Sequence, residues 1–404
     1  MSRPRLMVFA SHPIQYQSPW FRALAKDGRI DLKVVFAYVP SDATQGIGFG
    51  TRFTWDVPLR DGYESEVLSC LRLAPEGSRF ASGIGRGVAA ALRRFRPDAV
   101  LVMGWHDLVL VQAFLACKLL RIPAIMRGEA NDKRTRAGWK SALQGLYVRQ
   151  ASAALAIGDA SAAFYAARGV PPDRIHMARY FVDNDRFRAE AARLRPERAA
   201  LRARWEIEDG AFTVAFVGKM EPKKRVMDVL DALAIARRGG APVHGLFVGS
   251  GVQMEDARSK AAAEGIPVTF TGFLNQTEIP SAYVAADALA LPSDFGETWG
   301  LVCNEAMACG TPVIVSERAG CADDLVVNGE TGGVVPFADP AAMAAVIARW
   351  CGDKETHEGI CRRAVRHVSD RYSIEQAMAG LYSAMAAITH LDGSGSDLKA
   401  KRRA

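Results

Sequence analysis

No run of 18 or more uncharged apolar residues occurs in the 404-residue chain, so no stretch of it is composed to cross a membrane as a helix. The opening residues, MSRPRLMVFASHPIQ, carry a basic start but only a short apolar stretch before His12 and Pro13. That is too short for a secretory signal and reads as a first buried strand. Cysteine is sparse: seven residues, at 70, 117, 303, 309, 321, 351 and 361, with no C-x-x-C pair. An odd, scattered set implies free thiols in a reducing, cytoplasmic setting. No nucleic-acid reader motif is present. The segment FVGSG (247–251) begins like a dinucleotide G-x-G-x-x-G, but Met254 stands where the third glycine belongs, which argues against a nicotinamide enzyme.

What is there is the balance of a globular protein, 49% apolar and 24% charged, in a chain long enough for two domains. The net charge of +7 is unevenly spread. Residues 1–200 hold 30 Lys and Arg against 18 Asp and Glu, a net of +12; residues 201–404 hold 21 against 26, a net of −5. A basic half beside an acidic half suggests that the first half faces something anionic, such as a membrane surface or a phosphorylated substrate; an arginine-rich solvated surface is the plainer reading.

Short apolar runs alternate with helix-length segments throughout. The runs are 6–11, 32–39, 99–104, 123–126, 153–158 and 175–180 in the first half, and 212–218, 244–249, 268–272, 288–293 and 312–316 in the second. Strands this short and uniformly apolar predict parallel sheets covered on both faces. The pattern pauses at 188–210, a charged helical stretch broken by Pro196, which places a domain junction there. The expected fold is α/β: two Rossmann-like, doubly wound domains, 1–187 and 188–372, facing a central cleft. A helix at about 373–389 would return to the first domain, and the Gly/Ser-rich, then basic tail at 391–404 reads as disordered.

Two segments carry the chemistry. In DFGETWGLVCNEAMACGTPVIVS (294–316), Gly310 followed by Thr311 and Pro312 stops a helix that starts near Gly300. Glycine at its start lets a ligand approach bare backbone, and the free N–H groups there suit an anion such as phosphate. Glu305 lies one turn inside and Glu297 in the loop before. Read alone, the two are equally a dipole complement and a solvated loop acid. The second segment, GKMEPKKR (218–225), follows the apolar run FTVAFV and sets Lys219 and Lys224 at a sheet's carboxyl edge, where ammonium groups can neutralise a leaving diphosphate. A charged surface turn is the alternative.

GKMEPKKR, FVGSG and the stretch from TGFLNQTEIP to GTPVIVS, in that order and spacing, resemble the donor-binding half of family 4 glycosyltransferases, which are retaining enzymes of GT-B fold with an E-x7-E element. Glu297 and Glu305 match that element. PDAVLVMGWH, ending in His106, and the segment 153–187 are similar to the family's first half more loosely. The resemblance implies roles. Glu305 would bind the nucleotide ribose and Glu297 the sugar hydroxyls. Lys224 would hold the diphosphate, with Lys219 beside it and the backbone of Gly300, Leu301 and Val302 adding to the anion site. Phe273 and its neighbours would lie against the base, Trp299 would belong to the donor site, and His106 would stand near the transferred sugar.

Two departures stand out. The family's arginine is Lys219 here, which cannot contact phosphate bidentately. The usual glycine-rich loop after the first strand is replaced by SHPIQYQSP (11–19), where His12 and Gln15 take its place or His12 is an ordinary loop residue. Asp183-Asn184-Asp185 has the D-x-D form of a metal site in another glycosyltransferase fold; its place before the junction argues against that, and no metal or cofactor is expected. The co-substrate implied is a UDP- or GDP-sugar, and the acceptor a glycan or lipid-linked sugar of cell-surface polysaccharide or lipopolysaccharide synthesis at the inner membrane face. A GT-B epimerase or a non-catalytic sugar-nucleotide-binding protein is the alternative; nucleic acid is not an expected partner. The stretches 133–149 and 84–96, basic with interleaved aromatics, are candidates for contact with an anionic membrane, or helices packing on the sheet.

Overall fold

The structure is a computed structural model, and it describes residues 3–71, 83–133 and 138–400. The chain divides into two compact units. The first comprises Met1–Thr44, Pro58–Tyr180 and Ile374–Ala404; the second comprises Gln45–Val57 and Phe181–Ser373.

The first unit contains strands β1 (Arg5–Ala10), β2 (Asp31–Phe36), β3 (Glu64–Val67), β4 (Ser69–Leu71), β5 (Ile84–Arg86), β6 (Ala99–Val102), β7 (Ala124–Arg127), β8 (Ala153–Ala156) and β9 (Ile175–Met177). Seven of them form a sheet in the order β3-β2-β1-β6-β7-β8-β9, every pair parallel, while β4 and β5 make a separate antiparallel pair. The second unit contains β10 (Phe212–Val217), β11 (Val243–Val248), β12 (Val268–Gly272), β13 (Ala288–Leu291), β14 (Val313–Ser316) and β15 (Gly332–Val335), in the order β12-β11-β10-β13-β14-β15, again all parallel. The central strands, such as AVLV, ALAL and VIVS, are buried at every position, because helices cover both faces and no face is left for polar residues.

Each sheet reverses its winding once. In the first unit the chain runs outward from β1 to β3 and returns to β6 on the other side of β1; in the second it runs from β10 to β12 and returns to β13. The loops after β1 and β6, and after β10 and β13, diverge at these two switch points and leave a crevice at the carboxyl ends, where doubly wound sheets bind ligands.

The boundary falls between Tyr180 and Phe181, not inside the charged stretch at 188–210. That stretch is anchored rather than linking. Helix Asn184–Leu194 packs on helices Ile279–Ala285 and Leu301–Ala308. Arg198 donates to the Val284 carbonyl and pairs with Asp287 at 2.8 Å, while the buried Arg202 donates to the carbonyls of Ala285 and Ala211. Arg198 and Arg202 are thus spent on backbone carbonyls and the Asp287 carboxylate, so part of the charge there marks a packed joint. Pro196 sits in the short 3-10 turn Arg195–Glu197 that breaks the helix.

Helix Ile374–Ala400 belongs to the first unit and packs on β8, β9 and helix Ser18–Asp27; the Tyr382 hydroxyl donates to Asp27 at 2.6 Å. The helix runs on to Ala400, across the first part of the Gly/Ser-rich tail. Residues 401–404 lie outside the described residues.

Candidate active site

In the second unit, the loops after β10 and β13 are tied together at the switch point. Asp294 N–H donates to the Lys223 carbonyl at 2.9 Å, and one residue beyond Lys223 and three beyond Asp294, Lys224 Nζ is ion-paired with Glu297 Oε2. Both side chains are 16% exposed, enough to reach a ligand and too little for water to screen the pair fully. Two residues that the sequence separates by 73 positions therefore form one unit.

Gly300 follows directly and starts helix Leu301–Ala308. Its φ of 107° lies in the left-handed region, and a Cβ there would stand 2.5 Å from Leu291 Cδ2, so only glycine lets the chain turn from the loop into the helix this close to β13. Leu301 and Val302, both half-buried, supply the first N–H groups of the helix, which have no acceptor within it. Glu305, on the next turn, is 8% exposed and accepts a 2.6 Å hydrogen bond from the buried Tyr283 hydroxyl. Burial pushes its carboxyl above the usual range, opposed by the Tyr283 hydroxyl, the charge of Arg186 and a hydrogen bond with Gln276. Arg186 is itself held on Gln276, at 2.8 Å to the carbonyl and 2.6 Å to Oε1. Tyr283, Gln276 and Arg186 are positioning residues that sequence reading did not single out.

One expected donor contact is corrected. Trp299 is 3% exposed, and its indole N–H donates to Asn304 Oδ1 at 2.8 Å, so the side chain is part of the core under the helix rather than a surface for the donor. Phe273, expected against the base, is stacked on Phe53 with ring centres 4.1 Å apart. Lys219, at the end of β10, is half-buried and donates to the Ile47 carbonyl, and burial lowers its pKa.

In the first unit, the loops after β1 and β6 bring together two histidines taken from different motifs. Ser11 Oγ lies 3.0 Å from His12 Nδ1 and 3.4 Å from His106 Nε2, so one hydroxyl bridges both rings. The register of β1 on β6, Phe9 opposite Val102, places the two loops side by side. His106 is exposed; the neighbouring Asp107 is buried and caps helix Leu108–Leu120 through the Val109 N–H. His12 is more enclosed, with Tyr38 at 5.4 Å, and its pKa is lowered to about 4, first by burial and then by the charge of His106. Gln15 is half-buried in the turn before helix Ser18–Asp27.

Beside this pair stands a cluster the sequence reading missed. Arg127 ends β7 and is 5% exposed; it donates to the Ala178 carbonyl at 2.8 Å and lies over the rings of Trp20 and Tyr180. The Tyr180 hydroxyl donates to the exposed Glu129 carboxylate. The legible signal is a charged residue closing an apolar run, PAIMRGE.

Asp183-Asn184-Asp185 is used structurally. Asp183 caps helix Asn184–Leu194, Asn184 donates to the Val368 and Tyr372 carbonyls, and Asp185 pairs with Arg188. The trio points in three directions and makes no joint ligand set.

Residues 197–366 match the family model described as "Glycosyl transferases group 1". The second unit carries a group 1 glycosyltransferase domain. Among curated relatives, an alpha-D-kanosaminyltransferase of Streptomyces kanamyceticus is 30% identical over 218 residues, 53% of this chain and 55% of that protein. A D-inositol 3-phosphate glycosyltransferase of Nocardia farcinica is 34% identical over 238 residues, 55% of this chain and 52% of that protein. The chain thus spans about half the length of the curated relatives it matches. Among solved structures, Anabaena Alr3699/HepE in complex with UDP and glucose superimposes with a TM-score of 0.69 at 16% identity, over 95% of this chain and 100% of that one. That likeness extends beyond the group 1 domain to nearly the whole chain and establishes the GT-B fold.

Proposed function

We propose that the chain is a retaining glycosyltransferase that moves a sugar from a nucleotide-sugar donor to a glycan or lipid-linked acceptor. The observation that carries this reading is the Lys224–Glu297 pair beside the helix start at Gly300, at the switch point of the group 1 domain. A diphosphate fits that place: an ammonium and unshared helix N–H groups can take up the charge that develops on the leaving group. Glu297 then accepts from sugar hydroxyls and Glu305, one turn on, from the ribose. The relatives named for sugar transfer, and the neighbour bound to UDP, support a nucleotide sugar as donor. Retention follows from the family resemblance. With no protein nucleophile assigned, the leaving diphosphate accepts the acceptor's proton on the face it departs from. The charge on the donor is met by lysines and helix N–H groups, so turnover should survive EDTA; loss with EDTA and recovery with Mg²⁺ or Mn²⁺ would overturn that part.

The first unit takes the acceptor and rests against an anionic membrane surface. Helices Leu108–Leu120 and Gly138–Val148, in contact through Phe114 and Tyr147 at 4.7 Å, leave Leu115, Leu119, Trp139, Leu143 and Leu146 exposed, at helical spacings of three and four residues, with Arg121 and Arg149 nearby. An apolar stripe rimmed by cations is the composition of an interfacial helix surface. Binding to anionic vesicles should appear at low salt, weaken as salt rises and be lost in Leu143→Glu; equal binding to neutral vesicles, or none to either, would contradict it.

The function itself is tested by a thermal-shift panel of UDP- and GDP-sugars, followed by nucleoside diphosphate release with the best binder in the presence of candidate acceptors. A new sugar nucleotide formed without acceptor would make the protein an epimerase. Binding without turnover under any acceptor would make it a sugar-nucleotide-binding protein.

A further inference from the structure

Residues 45–57 belong to the second unit although the segments on either side belong to the first. The segment, QGIGFGTRFTWDV, crosses the carboxyl ends of three adjacent strands. After β10, Lys219 donates to the Ile47 carbonyl and lies 5.0 Å from the Phe49 ring. After β11, the Ser250 hydroxyl donates to the Phe49 carbonyl. After β12, Phe273 is stacked on Phe53 at 4.1 Å and meets Phe49 edge-on at 5.1 Å, with Trp55 at 6.5 Å. Gly48 has φ of +84°, and a Cβ there would come within 2.8 Å of Lys219 Cδ, so the glycine admits the lysine.

The two parts of the segment are held differently. Its far end is pinned by polar bonds: Asn275 donates to the Thr54 carbonyl at 2.8 Å, and Asp56 accepts from the Thr277 N–H at 3.1 Å and from its hydroxyl. Its aromatic part takes the Ser250 hydroxyl on the Phe49 carbonyl, and is otherwise held by ring contacts and by one ammonium on a neutral carbonyl. Those are the contacts a nucleotide can replace in kind. A base stacks on an aromatic ring as well as another ring does, and a diphosphate is a stronger partner for an ammonium than a carbonyl is. Phe49 touches both Lys219 and Phe273, so the two groups lie within the reach of one small ligand that is aromatic at one end and anionic at the other.

We infer that residues 46–55 are an aromatic clasp of the donor site. The base of a nucleoside diphosphate enters between Phe53 and Phe273, and its diphosphate draws the Lys219 ammonium away from Ile47. Phe53 is then a specificity-determining contact for the base, and Trp55 moves when it binds. This rests on the donor-site reading above and adds a part of the chain that the group 1 match, at 197–366, does not include.

Calorimetric titration of the full chain with UDP, GDP and inorganic diphosphate tests it, in the native protein and in Phe53→Ala, Phe53→Leu, Phe53→Trp, Trp55→Phe and Lys224→Ala. Phe53→Ala and Phe53→Leu should weaken the better-bound nucleotide by about tenfold and leave inorganic diphosphate as tightly bound as before or tighter. Phe53→Trp should restore nucleotide binding. Tryptophan emission should shift on nucleotide addition in the native chain, and Trp55→Phe should remove most of that shift. If Lys224→Ala weakens nucleotide binding while both Phe53 variants bind it like the native chain, the donor site stands and the clasp is overturned. If neither UDP nor GDP binds the native chain, the donor-site reading falls and takes the clasp with it.

Discussion

Lys224 and Glu297 form an ion pair that joins the loop after β10 to the loop after β13. Each is the other's ion-pair partner, and neither is solvated enough to lose that partner without cost. Lys224→Ala should lower turnover by about a hundred- to a thousandfold, the range for a group that stabilises developing charge, and should lower the melting temperature because Glu297 is left half-buried and unpaired. Adding Glu297→Gln should recover the melting temperature and leave turnover low. Full activity in Lys224→Ala would remove the lysine from the mechanism.

Glu305, proposed above to bind the ribose, also accepts a buried hydrogen bond, and the two roles can be separated. Glu305→Ala should weaken nucleotide binding by about 1–3 kcal/mol and also leave the Tyr283 hydroxyl without its acceptor, lowering stability by a similar amount. Tyr283→Phe should cost stability with only a small change in nucleotide affinity. Calorimetry and thermal melts on the two variants decide it; identical losses of affinity in both would make Glu305 a structural acceptor only.

The strands were legible in the sequence because strands buried on both faces read as unbroken apolar runs, and all eleven expected runs are strands. Those overlooked, such as ESEV in β3 and GGVV in β15, lack that pattern: one is polar, the other half glycine. The Glu297, Glu305 and Lys224 constellation was legible because it sits in short segments next to strand ends. The meeting of His12 with His106 was not, since it depends on β6 lying beside β1, although β6 comes four strands after β2 in chain order. Trp299, placed in the donor site by the family resemblance, misled for a physical reason: its indole has a buried partner, Asn304, five residues away. The segment 45–57 has no periodicity to betray that it leaves the unit in which the chain before and after it lies.

His12 should make stability fall as pH falls. Its folded pKa is lowered from 6.5 to about 4, so between those values the unfolded chain binds a proton that the folded chain refuses. Its contribution is fully present above about pH 6.5, declines below it and is lost by about pH 4. Ser11, Tyr38 and His106 face the ring, and none of the three is an anion that would oppose the shift. Melting temperatures between pH 4 and 7 should converge for the native chain and His12→Gln at the acidic end and separate towards neutrality; NMR titration of the His12 ring should give the low value directly.

His106 differs from His12 in being exposed at the carboxyl end of β6, tied only loosely to Ser11 at 3.4 Å. A ring held that weakly adds little to folding, so a change there should act on chemistry rather than stability. If its imidazole hydrogen-bonds a hydroxyl of the transferred sugar, the contact strengthens towards the transition state and is absent from the free nucleotide. His106→Ala should then cut kcat strongly, leave UDP or GDP affinity and melting temperature nearly unchanged, and be rescued in part by His106→Asn, which can still donate. A mild effect on kcat would assign the role to the His106 backbone carbonyl. A parallel loss of turnover, nucleotide affinity and melting temperature would show instead that the Ser11 bridge is what the first unit needs from this residue.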